Sequence, residues 1–261
     1  MSARVAVVQL PGVNCEAETV RALERVGLEP EVFRWTRSAH ELKRFDAYVL
    51  PGGFSYQDRV RAGALAAKDP LIEALEDAAE RGKPVLGICN GAQVLVEAGL
   101  VPGGESVEVA LARNRMPDRT GYYARWIYVR VEETSCVFTA ALEPGTVLAL
   151  PVAHGEGRFT ARDPARVAAL VRAGQAPLRY ATARGAVARE FPANPNGSEA
   201  AVAGMCNARG NVLALMPHPE RAQDAGAVSR AVTGAWARHE GGNGGPGLTL
   251  FAGLSRHLEE G

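Results

Sequence analysis

Short apolar runs alternate with segments of helical periodicity through the first hundred residues. No other feature constrains the fold as strongly. Val5–Leu10 is apolar along its length rather than at every second residue, the pattern of a strand buried on both faces. Glu16–Val26 follows, with Val20, Leu23 and Val26 at helical spacing and Gly27 where a C-cap belongs. Glu31–Trp35 predicts a second strand, Ser38 caps a short helix through Arg44, and Ala47–Leu50 predicts a third strand ending in Pro51-Gly52-Gly53. Asp69-Pro70 opens a helix that runs to Gly82. Pro84–Ile88 is a fourth strand, and Ala92–Ala98 a helix stopped by Gly99. Such β–α alternation predicts an α/β fold with a doubly wound, mostly parallel sheet.

The pattern changes in the middle of the chain. Residues 100–215 carry short strands such as Arg125–Val131 and Val147–Leu150 between Gly, Pro and Asn turns, read as antiparallel additions at a sheet edge. Asn211–Met216 returns to a buried strand, and residues 222–238 predict a helix. The organisation expected is one catalytic domain over residues 1–240, then 241–261 as a Gly-rich link and short extension with Leu250, Leu254 and Leu258 at helical spacing.

Charge excludes some functions. Lys plus Arg number 29 and Asp plus Glu 29. That balance argues against nucleic acid or a membrane surface as partner, since both favour a basic face. The N-terminus has no signal-peptide pattern and no apolar run is long enough to span a bilayer, so a cytoplasmic chain is expected. Cys15, Cys89, Cys136 and Cys206 form no CxxC pair, which leaves structural thiols or a nucleophile. Neither a GxxxxGK[ST] loop nor a strand-associated GxGxxG occurs, so no nucleotide cofactor is expected in this chain.

The sharpest local signal is Gly87-Ile88-Cys89-Asn90-Gly91-Ala92-Gln93. A buried strand runs in and a helix runs out, so Cys89 is thrust from the sheet at a sharp turn. The helix N-terminus behind it favours the reactive thiolate. The bland alternative is a core cysteine between turn glycines. Cys15 is a weaker rival, with no flanking glycines.

A thiolate nucleophile needs a base and an orienting group. Met216-Pro217-His218-Pro219-Glu220-Arg221 offers both. The prolines hold the chain extended, so His218 and Glu220 face the same side. His154-Gly155-Glu156-Gly157 competes for the same role, although its glycines predict a mobile loop better suited to substrate contacts. Neither pair has metal-ligand spacing, and no metal is expected. Oxyanion donors are expected from a backbone N–H of the Pro51-Gly52-Gly53 loop and from the Asn90 N–H.

Together, Gly87–Gln93, Pro51-Gly52-Gly53 and Pro217–Arg221 resemble the class I (triad) glutamine amidotransferases. Leu10-Pro11-Gly12-Val13-Asn14-Cys15, Gly53-Phe54-Ser55-Tyr56, Ala153–Phe159 and Asn194-Pro195-Asn196-Gly197-Ser198 are more specific, and resemble the glutaminase subunits of phosphoribosylformylglycinamidine synthase, in purine biosynthesis. The resemblance runs from residue 4 to about 238. It implies a flavodoxin-like fold, Cys89 as nucleophile, His218 as base, Glu220 as its partner, and Gly53 and Asn90 at the oxyanion. Gly52, Gln93, His154, Gly155 and Glu156 would meet glutamine. A synthetase subunit that binds ATP and Mg²⁺, and a small accessory subunit, are the implied partners. Gln57 stands where these proteins usually have a small residue after Phe-Ser-Tyr. Asn196-Gly197-Ser198 also reads as a glycosylation sequon, expected to stay unmodified in a cytosolic chain. Two other readings remain: a cysteine peptidase of the same superfamily, and a catalytically silent binding subunit.

Overall fold

The computed structural model describes residues 2–104, 106–232 and 244–260. The strands are β1 (Arg4–Gln9), β2 (Glu29–Arg34), β3 (Ala47–Leu50), β4 (Val85–Ile88), β5 (Val109–Arg113), β6 (Tyr123–Val131), β7 (Val147–His154), β8 (Glu156–Ala161), β9 (Leu178–Ala181), β10 (Val202–Cys206) and β11 (Val212–Leu215). The helices are α1 (Glu16–Arg25), α2 (Pro70–Glu80), α3 (Asn90–Glu97), α4 (Pro164–Arg172), α5 (Ala225–Ala231) and α6 (Leu248–Glu260).

Nine strands form one sheet in the order β2-β1-β3-β4-β11-β10-β9-β6-β7. The first five run parallel. The last four add antiparallel beyond β11, as the middle segment predicts. The other two, β5 and β8, pair with each other as a separate ribbon. The inner parallel strands β3, β4 and β11 carry no charged residue and are buried at every position, because both of their faces are covered. From β1 the chain moves out to β2, then returns past it to β3. That reversal opens a crevice at the carboxyl ends of β1 and β3, where ligands bind in such sheets. The loops after β1, β3 and β4 meet there.

Local chemistry explains most boundaries. Asp69 caps α2 by accepting a hydrogen bond from Leu71 N–H at 2.9 Å, and Pro70 opens the helix. Asp69 also accepts from the Tyr56 hydroxyl at 2.8 Å, which ties this cap to the loop after β3. Asp69→Ala is therefore expected to cost about 1–2 kcal/mol, read from a denaturant midpoint, with Asp69→Asn closer to the parent. Gly27 has φ 82° and ends α1 as expected. The Ser38 side chain, by contrast, makes no capping bond, and Ala39–Arg44 winds as a 3-10 helix. α3 begins two residues earlier than its periodicity suggests, because the turn at Cys89 leads directly into it.

Of the helix expected over 222–238, α5 is the described part, and it starts late because Pro219–Arg221 first forms a 3-10 turn. Residues 233–238, and 241–243 of the Gly-rich link, lie outside the described residues. The terminal segment is helical, as its leucine spacing predicts. Leu250, Phe251 and Leu254 of α6 are fully buried in the same core as the sheet. At about 1.5–3 kcal/mol per buried side chain, that is a substantial anchor. No helix among the described residues is long and apolar enough to cross a membrane.

Candidate active site

Cys89 sits at the turn between β4 and α3 with φ 50° and ψ −102°, a strained conformation for a residue with a Cβ. The tertiary structure imposes it. Cys89 N–H donates to the Leu215 carbonyl at 2.7 Å, which fastens the end of β4 to β11. The flanking glycines are there for close approach: a Cβ on Gly91 would lie 2.0 Å from the Leu50 carbonyl oxygen, and one on Gly87 2.6 Å from the backbone of Gly91. α3 therefore packs its first turn on β3 and β4 at backbone distance. The Cys89 sulfur is 3.6 Å from the Ala153 carbonyl oxygen of β7.

His218 follows β11. Its N–H donates to the Pro151 carbonyl of β7 at 2.8 Å. Nδ1 donates to Glu220 Oε1 at 2.5 Å, and both side chains are buried. The two meet by a different route from that expected. The segment is not extended: Pro219 opens a 3-10 turn, and the turn carries Glu220 back onto the ring. Nε2, on the far side of the imidazole, is buried and has no hydrogen-bond partner among the described residues. Burial alone would lower the His218 pKa. The Glu220 carboxylate and the Cys89 sulfur outweigh it and hold the imidazole well above its ordinary 6.5.

The loop after β3 lies against the loop after β1. The Gly52 carbonyl accepts from the N–H groups of Asn14 and Cys15, both at 3.2 Å, and Phe54 N–H donates to the Gly12 carbonyl at 2.9 Å. Across a trans peptide this turns the Gly53 N–H away from residues 14 and 15. Asn90 opens α3, so its N–H is one of those the helix leaves without an internal acceptor. A Cβ on Gly52 would lie 2.7 Å from His218 Cε1, so the residue type there is dictated by the imidazole.

The second His-x-Glu sequence is built differently. His154 ends β7 and Glu156 opens β8, so the segment is a tight strand-to-strand corner rather than the mobile loop its glycines suggest. His154 Nδ1 pairs with Asn114 Oδ1 at 3.0 Å, and Glu156 Oε2 accepts from Ala62 N–H at 3.3 Å. The two side chains are thus engaged elsewhere. Burial and, after it, the positive charge of His218 push His154 down to about 3. Asn114 also donates to the His154 carbonyl at 2.7 Å and accepts from Gly157 N–H at 3.2 Å, which locks the corner. The sequence drew no attention to Asn114.

The corner still borders Cys89. Gln93 Nε2 donates to the Glu156 carbonyl at 2.5 Å, and Asn90 Nδ2 donates to Gln93 Oε1 at 3.0 Å. Asn90 Nδ2 also reaches Asp58 Oδ1 at 3.2 Å. Burial and the neighbouring Glu156 push Asp58 up to about 6. Asp58 had no motif to reveal it. Tyr56, Gln57 and Asp58 share positive φ values of 52°, 61° and 53°. Gln57 thus occupies a conformation that a glycine takes freely and a side chain takes at about 1–2 kcal/mol. Asn194–Ser198 is a brace rather than a sequon: Asn196 and Ser198 are buried, Asn196 Nδ2 donates to the Gly157 carbonyl at 2.7 Å, and Ser198 Oγ accepts from Phe159 N–H at 3.1 Å.

Cys15, the weaker rival thiol, lies at the same site. Its Sγ, a His218 ring nitrogen and a Glu220 oxygen all fall within 4.8 Å of one another. As a cation cage the trio is poorly arranged. His218 and Glu220 already hold each other, and the Arg221 guanidinium donates to the Cys15 sulfur at 2.9 Å.

A buried cysteine at a strained strand-to-helix turn of a doubly wound sheet, beside a buried His–Glu pair, is the arrangement of a triad amidotransferase. A model of the CobB/CobQ-like glutamine amidotransferase domain matches residues 2–257. The chain is 45% identical over 265 residues to the phosphoribosylformylglycinamidine synthase subunit PurQ of Methanothrix thermoacetophila, covering 98% of each chain. It is 48% identical to PurQ of Thermomicrobium roseum, over 85% of this chain and 88% of that one. Among solved structures it resembles a chain of PurLQS from Thermotoga maritima, with TM-score 0.74, 34% identity and coverage of 99% of this chain and 100% of that one. The chain belongs to the PurQ family of class I glutamine amidotransferases.

Proposed function

We propose that this chain hydrolyses glutamine with Cys89, His218 and Glu220 and passes the ammonia to a synthetase subunit that makes formylglycinamidine ribonucleotide from formylglycinamide ribonucleotide. The observation that carries the reading is the buried 2.5 Å His218–Glu220 pair just beyond β11, the strand that pairs with β4, which leads into the Cys89 turn. Glu220 fixes the imidazole tautomer and favours its protonated form, which in turn favours a thiolate at Cys89. The thiolate attacks the side-chain amide carbon, and the electron pair moves onto oxygen. Gly53 and Asn90 N–H groups stabilise that oxyanion. His218 gives its proton to the amide nitrogen as the C–N bond breaks and ammonia leaves. Neutral His218 then takes a proton from water, hydroxide adds to the thioester, and the C–S bond breaks to give glutamate. Gln93 and the His154-Gly155-Glu156 corner, with Gly52, shape the glutamine site.

ATP and Mg²⁺ belong to the synthetase partner in this reading, and a small accessory subunit completes the complex. Residues 1–240 act as the amidotransferase domain, and 241–261 as an extension. The exposed aromatic pair Phe54 and Tyr122, stacked with centroids 6.5 Å apart on the loops beside Gly53 and Gly155, supports a partner covering the site. Free ammonia is largely protonated at neutral pH and is then no nucleophile, so a covered route favours transfer. The isolated chain is expected to be a poor glutaminase, with synthetase, ATP and acceptor raising ammonia release about a hundredfold. Equal turnover per site in both mixtures overturns this coupling. Absence of glutamine-derived ammonia in either mixture overturns the glutaminase reading.

A further inference from the structure

Cys15 is buried at the start of α1, yet its side chain makes no capping bond there. Its sulfur instead accepts from Arg221 Nη2 at 2.9 Å, and its thiol donates to Asn14 Oδ1 at 3.4 Å. Arg221 adjoins Glu220 in sequence, and its Nε lies 3.9 Å from Glu220 Oε1, beyond hydrogen-bond reach. Glu220 Oε1 is the atom that holds His218. Among the described residues, the other carboxylate near that guanidinium is Glu18, at 4.0 Å. The Cys15 sulfur also lies 3.2 Å from the Cβ position of Gly52, the same point that His218 Cε1 and Nδ1 approach at 2.7 and 3.3 Å. The sulfur is therefore packed between the imidazole and the arginine.

We infer that Cys15 is a positioning residue of the triad: it takes the Arg221 hydrogen bond, and so leaves Glu220 Oε1 to His218 alone. The inference rests on the triad reading proposed above. A carboxylate oxygen shared with a guanidinium holds an imidazolium less tightly, because the arginine offsets part of its charge and takes one of its acceptor directions. Without the sulfur, Arg221 is free to close the 3.9 Å gap. The charged and titratable groups facing His218 are Cys89, Cys15, His154, Tyr122, Glu220 and Arg221. Of these, Cys15 is replaced, Arg221 loses the sulfur and Glu220 gains the guanidinium in the substitution that follows, while Cys89, His154 and Tyr122 keep their places.

The readout is the pH dependence of Cys89 alkylation by iodoacetamide in the full chain, with the labelled cysteine identified by peptide mass spectrometry. This needs no glutamine, so it stands apart from turnover: failure of the glutaminase reading shows as absent ammonia release, whatever the alkylation profile. In Cys15→Ala the acid limb of the profile is expected to move up by about one pH unit, a roughly tenfold slower reaction on the acid side. Cys15→Ser, which keeps an acceptor for Arg221, is expected to stay near the parent. Cys15→Ala combined with Arg221→Gln is expected to move back towards it, because the competing guanidinium is gone. A packing role alone would lower thermal stability and leave the limb in place. An unmoved limb overturns the inference, and so does a moved limb that Arg221→Gln does not restore. If the alanine variant does not fold, Cys15→Val fills the volume without an acceptor and reads the same outcomes.

Discussion

Cys89→Ser is expected to lower glutamine-dependent product formation about a hundredfold or more, while ammonium-dependent synthesis by the assembled complex continues. Serine is close to cysteine in size and can accept the strained turn at φ 50° and ψ −102°, so the fold and the docking surface should survive. What is lost is the nucleophile. His218, held well above its ordinary pKa by Glu220 and Cys89 against the opposing effect of burial, stabilises a neighbouring thiolate. It cannot ionise a hydroxyl to a useful extent. The measurement is product formation with glutamine and with ammonium chloride as alternative nitrogen sources. Retention of more than about a tenth of the glutamine-dependent rate would mean that Cys89 does not attack substrate. Parallel loss of both activities would point instead to damaged assembly.

The second large effect is expected at His218. His218→Ala should reduce kcat by about two orders of magnitude or more and slow alkylation of Cys89, since in the proposed mechanism one imidazole serves both the ionisation of the sulfur and the protonation of the leaving nitrogen. Glu156→Gln should mainly raise KM for glutamine several-fold, because Glu156 lines the corner next to Gln93 and does not touch His154 or His218. The opposite pattern would place the catalytic pair at His154 and Glu156. A pH signature accompanies this. Because the folded His218 pKa is raised, the stabilisation from its pairing with Glu220 is fully present below the unfolded value of 6.5 and lost as pH rises through the raised folded value. The stability difference between the parent and His218→Ala should therefore be largest on the acid side of that window.

Much of this protein was decided locally, and so was legible in the residues. Uniformly apolar β3, β4 and β11 could only be central parallel strands, because no polar face was available to water. Asp69-Pro70 set the start of α2 through its own capping chemistry. The spacing of Gly87, Cys89 and Gly91 marked the turn, since only glycine lets α3 lie so near β3 that a Cβ on Gly91 would be 2.0 Å from the Leu50 carbonyl oxygen. Other features depended on residues far apart in the chain. Two His-x-Glu sequences competed for one role on paper. They separated only when Asn114 engaged His154, while the Pro219 turn folded Glu220 onto His218. Asp58 acquired its raised pKa from burial and then from Glu156, 98 positions away, and no motif records that meeting. Cys15 looked like a packing thiol because its partner, Arg221, is 206 residues further along. Backbone conformation follows from neighbours in sequence. The charge state and partner of a side chain follow from neighbours in space, and at this site those are supplied by the loops after β1, β3, β4, β7 and β11.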